Sequence, residues 1–223
     1  MNTVSISRFT PSTMSAELLE RLFVVRKPIL EALMKRVKAL GRTPSPHHTL
    51  LVGPRGAGKT HLISLVYHRC KSLGKAGDGK PLRIAWLPED PWTLVSYGRL
   101  LAAILERVVP DFDNQKIAEP ELDAHIRHTS REDGPILVLA ENLDQILEAL
   151  GDSGQQKLRN LLQTEPDILV IATTTRLDRS LSAHAAPFFG FFDTIRLDPF
   201  SPEEAREMLT TLAREANNSE LAK

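Results

Sequence analysis

Short apolar runs alternate along this chain with longer stretches of three-to-four spacing. Residues 48–52, 82–87, 136–140 and 168–172 are nearly continuous apolar runs, bounded by Gly, Pro or Thr, and a shorter one covers 194–197. Runs of this length read as strands buried on both faces. Between them lie helical patterns. Ser15 caps a helix over 16–23, with Leu18, Leu19 and Leu22 on one side. Pro28 suits the first turn of a second, over 29–40, which Gly41 ends. Residues 61–70 are apolar on most faces, 94–109 place Leu100, Leu101, Ile104, Leu105 and Val108 at helical spacing, and 119–130 form a more polar helix. A helix over 145–150 is followed by a loop at 151–154 and a further helix to about residue 163. Ser201-Pro202-Glu203-Glu204 combines a cap, a proline and first-turn acids, and opens a helix to about residue 216. Residues 1–14 read as a flexible arm, and 42–46 and 72–81 as connectors, with Pro88 and Pro91 closing the second strand.

Strands alternating with helices predict an α/β fold: a five-stranded parallel sheet covered on both faces, plus the start of a helical lid. The expected division is an arm (1–14), a nucleotide-binding core (15–200) and a first lid helix (201–223). In such sheets ligands bind beyond the carboxyl ends of the strands. Three polar groups fall there: the loop after the first strand, Glu141 and Asn142 after the third, and Thr173 to Thr175 after the fourth.

The loop is Gly53-Pro54-Arg55-Gly56-Ala57-Gly58-Lys59-Thr60, which fits G-x-x-x-x-G-K-[ST], the phosphate-binding loop called Walker A. Glycines let the backbone curl until its N–H groups face a triphosphate. In this motif Lys59 reaches the β- and γ-phosphates and the Thr60 hydroxyl sits on Mg²⁺. The strand before it and the helix after it are the setting the motif requires, with the helix N-terminus at the phosphates. His61, next in line, is a further candidate for the phosphates, and Arg55 either touches phosphate or faces solvent.

Composition narrows the partners. The 223 residues are 42% hydrophobic and 25% charged, enough for a sizeable core. Formal net charge is zero, so no general attraction to nucleic acid or anionic membrane is implied. No apolar run approaches a membrane span, and the start of the chain lacks a signal-peptide pattern. Cys70 is the only cysteine, which excludes an intramolecular disulfide and suits a cytoplasmic protein. His125 and His128 stand three apart with no third ligand nearby, so a surface helix is the simpler reading. Thr175-Arg176-Leu177-Asp178 lacks the lysine of a guanine-reading motif.

Taken in order, these parts resemble the AAA+ ATPases, and within them the origin-recognition/Cdc-type initiators and the related STAND ATPases. Leu22-Phe23-Val24-Val25-Arg26 is similar to the apolar-plus-Arg element that lies against the adenine in that family, which implies adenine contacts for Val25 and Arg26. Leu137 to Asp144 resembles Walker B, Thr173 to Thr175 occupies the sensor 1 place, with Thr174 among the γ-phosphate readers, and 192–209 is similar to the last strand, loop and first lid helix. The resemblance implies ATP or ADP with Mg²⁺ as ligands.

Three departures from the family pattern matter. Walker B normally ends in Asp-Glu, whereas this chain reads Leu-Val-Leu-Ala-Glu-Asn-Leu-Asp. Alignment on the trailing Asp144 puts Glu141 in the metal position and Asn142 in that of the catalytic base; the other register puts Ala140 and Glu141 there. The first is favoured because it keeps the aspartate spacing. Asparagine cannot take a proton, although an amide can orient a water, so either register implies slow or conditional hydrolysis. The place of the arginine finger, Ala186 to Phe192, holds four phenylalanines and no arginine; Arg176 and Arg179, soon after the fourth strand, are candidate substitutes, but a solvated loop is the favoured reading for them, and the phenylalanines are expected to pack the lid on the core. Only one lid helix fits before Lys223, as in a piece of a longer protein or a trimmed lid. The expected function is a nucleotide-dependent switch or slow ATPase in a larger assembly, with a protein partner and DNA as an open second one. The alternative is a nucleotide-binding module without turnover. Trp86, at the end of a strand, is expected to serve the core.

Overall fold

The computed structural model of the chain describes residues 11–87, 94–113, 117–177, 181 and 183–215. Most of the arm, Pro88, Pro91, Trp92, Asp178, Arg179 and the residues beyond 215 lie outside the described residues. The elements in order are a 3₁₀ turn (Pro11–Thr13), α1 (Ala16–Leu22), α2 (Lys27–Ala39), β1 (Thr49–Val52), α3 (Lys59–Leu73), β2 (Arg83–Leu87), α4 (Tyr97–Val108), α5 (Glu119–His128), β3 (Ile136–Ala140), α6 (Leu143–Thr164), β4 (Ile168–Thr174), β5 (Asp193–Arg196) and α7 (Pro202–Glu215).

The strands form one parallel sheet in the order β2-β3-β4-β1-β5. Side chains alternate across it, because successive strand residues face opposite sides. Leu50, Val138, Ala140, Val170 and Ala172 face α4, α5 and α6, while Leu51, Leu137, Leu139, Leu169 and Ile171 face α1, α2 and α3. Both faces are therefore dry, which explains the unbroken apolar runs of β3 and β4. The register pairs Val52 with Thr174 and Ala140 with Ala172. The chain beyond β1, β3 and β4 thus emerges at one edge of the sheet, with β4 in the middle.

Caps placed from the sequence are present. The Ser15 hydroxyl accepts from the Leu18 N–H at 3.3 Å. At α7 the Ser201 hydroxyl accepts from the Glu204 N–H at 3.1 Å, and the Glu204 carboxylate accepts from the Ser201 N–H at 2.8 Å, a reciprocal pair.

Four expectations change. The loop expected at 151–154 shrinks to one residue: α6 is two helical segments that meet at a kink, where Gly151 leaves helical geometry (φ 60°, ψ 177°). The Gln155 amide donates to the Leu147 carbonyl at 2.8 Å, satisfying an acceptor inside the kink. The helix at 94–109 starts three residues later, because the Ser96 hydroxyl caps it by accepting from Arg99 N–H. The helix expected to reach 130 stops at His128 and widens into a π turn, Thr129–Asp133. That turn sets Arg131 beside Arg127, and both guanidiniums close on the fully buried Glu165, each reaching 2.6 Å. Finally, the phenylalanines do not join lid to core. Phe188 is 1% exposed and packs with Phe191 and Phe192 in the cluster under α4 to α6. The lid helix α7 instead touches α1.

Candidate functional site

β1 ends at Val52, and residues 53–58 lead into α3. Gly56 and Gly58 have φ of +80° and +84°, which L side chains rarely adopt, so the turn stays bare where the motif needs it. Ala57 is buried, and its N–H donates to the Pro54 carbonyl at 3.2 Å. Pro54 and Arg55 are exposed. Lys59 opens α3 and is 9% exposed. Its Nζ donates to the carbonyls of Gly53 (2.6 Å) and Pro54 (2.9 Å), so the ammonium folds back along its own loop.

The next residue joins the loop to β3. Thr60 Oγ1 donates to Glu141 Oε2 at 2.6 Å, and Trp86 Nε1 donates to Glu141 Oε1 at 3.3 Å. Glu141 is 3% exposed, so its carboxylate is held by neighbours rather than by bulk water. Asn142 follows in the left-handed region (φ 52°, ψ 51°), which asparagine tolerates better than most residues. Its N–H donates to Thr173 Oγ1 at 3.4 Å. Thr174 is fully buried, and its hydroxyl donates to the Arg176 carbonyl at 2.8 Å, closing the turn after β4. Arg176 itself is exposed.

Val25 and Arg26 form the corner between α1 and α2. Arg26 has φ 69° and stands at the cap of α2. Its guanidinium donates to the Asp198 carbonyl and lies 4.7 Å over the Phe200 ring. Among the described residues the buried Arg26 Nε has no hydrogen-bond partner. Burial lowers the Arg26 pKa, partly offset by Glu204 and Asp198. Phe200 also approaches the loop: a Cβ added at Gly58 would meet its ring tip at 3.9 Å. The Arg26 corner, Phe200 and the glycine loop are therefore adjacent. His61 turns away from the loop. Its Nε2 lies 2.9 Å from the Leu19 carbonyl, its ring sits edge-on to Phe23 at 5.3 Å, and burial lowers its pKa.

The donor set fits a magnesium nucleotide. A threonine hydroxyl and a carboxylate stand side by side, and hard oxygen donors suit Mg²⁺. A bare glycine turn leads into a helix N-terminus, which suits phosphate. Thr60 and Glu141 would hold the metal side, and residues 53–60 the phosphates. Among the described residues no group of three or more His, Cys, Asp or Glu could hold a metal by itself, which leaves the His125–His128 pair without a third ligand. The His125 ring instead lies 6.0 Å from that of Phe112.

Two residues of this neighbourhood escaped the sequence reading. Trp86, expected to serve the core, does pack against the cluster under α1 to α3, and in addition its indole N–H reaches Glu141. Phe200 was read only as part of a lid motif, and its contacts with Arg26 and Gly58 bridge segments far apart in the chain. The available signal was an aromatic residue at the carboxyl end of a strand or next to a helix cap, where a purely core role would not require one.

No protein-family model matches the chain, and no curated protein sequence does. Solved structures do. The Aeropyrum pernix ORC2 protein in its ADPNP-ADP complexes superposes with a TM-score of 0.70 at 14% identity, over 86% of this chain and 52% of that one. The Aeropyrum pernix ORC1 protein in complex with DNA gives 0.64 at 18%, over 88% and 53%. Drosophila ORC bound to DNA gives 0.65 at 18%, over 93% and 51%. The chain spans about half the length of these structures. At such identities the likeness concerns the fold alone, and it agrees with the sheet order and the position of the glycine loop: the chain shares the five-stranded parallel P-loop α/β fold of these structures.

Proposed function

We propose that this chain binds ATP or ADP with Mg²⁺ at residues 53–60 and works as a nucleotide-dependent switch or slow ATPase within a larger assembly. The observation that carries the reading is the 2.6 Å bond from Thr60 to Glu141, which joins the end of the glycine loop to the end of β3. It favours the register with Glu141 on the metal side and Asn142 in the place of the base. Bound magnesium would neutralise phosphate charge there. The chain's own groups do the rest. Loop N–H groups and Lys59 bind the phosphates, Thr60 and Glu141 orient the metal side, and Val25, Arg26 and Phe200 flank the base. The Asn142 amide can orient a water but cannot accept its proton, so intrinsic hydrolysis is slow. Arg26 binds the Asp198 carbonyl ahead of α7, so the base side of the nucleotide site and the lid helix share a contact.

The ORC1 and ORC structures contain DNA. The zero formal charge of this chain gives no support to strong DNA binding of its own, so we assign its assembly role to protein contacts. Among the described residues no helix is long and apolar enough to cross a membrane, and the buried Cys70 suits the cytoplasm. Calorimetric titration of Lys59→Ala with ADP and Mg²⁺ tests the reading. Charge-assisted hydrogen bonds contribute roughly 1.5–3 kcal/mol, so affinity should fall about tenfold or more. Unchanged affinity would remove the assignment.

A further inference from the structure

Glu141 carries one methylene more than the aspartate usual at the metal position of Walker B. The extra torsion gives its carboxylate more ways to point, and a metal-side carboxylate must point one way. In this chain two donors grip it, one on each oxygen: Thr60 on Oε2 and Trp86 on Oε1. Trp86 is itself held twice more. Its carbonyl accepts from Arg107 Nε at 2.7 Å, which ties the end of β2 to α4. Its ring lies 5.0 Å from that of Tyr67. Tyr67 stands two turns after Thr60 on α3, so one helix supplies both the hydroxyl that binds Glu141 and the ring that steadies the indole. The register sets Trp86 opposite Leu139, two residues before Glu141 and on the same face of the sheet, so the indole reaches forward along β3 to the carboxylate.

We propose that Trp86 is a positioning residue for the magnesium side of the nucleotide site: its indole N–H fixes the Glu141 carboxylate so that the other oxygen and Thr60 meet the metal together. This rests on the nucleotide reading above. The same bond makes Trp86 a built-in reporter, since an indole hydrogen-bonded to a carboxylate senses a cation arriving at that carboxylate.

The chain has two tryptophans, so Trp92→Phe leaves Trp86 as the sole indole. With ADP bound in EDTA, titration with Mg²⁺ should give a saturable change in Trp86 emission, and Glu141→Ala in the same background should abolish it. In a separate titration, Trp86→Phe keeps an aromatic ring and removes the N–H. Its magnesium half-saturation should rise about tenfold, with ADP affinity in EDTA changed less than about twofold. Trp86→His, which restores a ring N–H, should recover part of the loss. Mg²⁺-insensitive emission with ADP bound overturns the proposal, as does a Trp86→Phe half-saturation within about twofold of the parent. Should Trp86→Phe fail to fold, the emission titration decides alone. Absence of ADP binding in the parent overturns the nucleotide reading and this proposal with it, whereas ADP binding with a silent Trp86 overturns only the latter.

Discussion

The first glycine of the loop offers a test of what the motif's glycines do. Gly53 is clamped. Its N–H donates to the Thr174 carbonyl at 3.2 Å, and just before it the Val52 carbonyl accepts from Leu197 N–H at 2.7 Å. A Cβ at Gly53 would sit 2.6 Å from the Leu197 carbonyl oxygen, 3.0 Å from the Leu197 Cβ and 3.3 Å from the Ala57 Cβ. The first of these is backbone of the segment after β5, which cannot swing aside as a flexible side chain does. Overpacking costs typically 1–3 kcal/mol, and the upper end, about 3 kcal/mol, applies here. With a urea slope of roughly 2–3 kcal/mol/M, the unfolding midpoint of Gly53→Ala should fall by about 1 M. Gly56→Ala is the control. Among the described residues nothing lies within 4 Å of its added Cβ, and the φ of +80° is what opposes it, so it should lose about 1 kcal/mol. Urea unfolding of both variants, followed by circular dichroism without nucleotide, makes the comparison. A Gly53→Ala midpoint within about 0.2 M of the parent would refute the argument that close packing against β5's tail, rather than phosphate, demands this glycine.

Asn142→Glu supplies the missing carboxylate base and should raise the steady ATPase rate about tenfold or more, less whatever the left-handed backbone at 142 takes back. Glu141→Gln should weaken the Mg²⁺ dependence of nucleotide binding; if it instead abolishes a brisk ATPase while binding survives, Glu141 is the base and the other register is right. His48 gives a pH dependence. Its Nδ1 accepts from Val170 N–H at 3.1 Å, its Nε2 faces the Leu162 carbonyl at 3.4 Å, and burial lowers its pKa from 6.5 to about 4. The folded state therefore prefers neutral His48. This contribution is complete above pH 6.5 and declines as pH falls toward 4, by at most about 3 kcal/mol. Thermal unfolding between pH 7 and pH 5 should show the loss, and His48→Gln should flatten it; an equal slope in the variant would exclude His48 as the source.

Features set by short-range physics were legible in the sequence. β3 falls on the predicted 136–140, because an apolar run between Gly134-Pro135 and polar residues has no other place to go than a buried strand. Ser15 and Ser201 cap as read, since a cap needs only its own first turn. The glycine loop lies between strand and helix, where the motif requires it. Local signals failed where a distant partner decided. Phe188, with Phe191 and Phe192 packed against it, entered the core because α6 and His48 were there to receive it, while Phe189 stayed exposed. Nothing along the chain relates Trp86 to Glu141 or Arg26 to Phe200. Those meetings depend on β2 lying beside β3 and on β5 returning next to β1, and strand order in a parallel sheet is settled by how helices pack over both faces at once. The sequence by itself determined a glycine loop between strand and helix in an α/β sheet; only the tertiary structure brought the indole to the carboxylate and the arginine to the phenylalanine, because those contacts are made between segments that no local interaction connects.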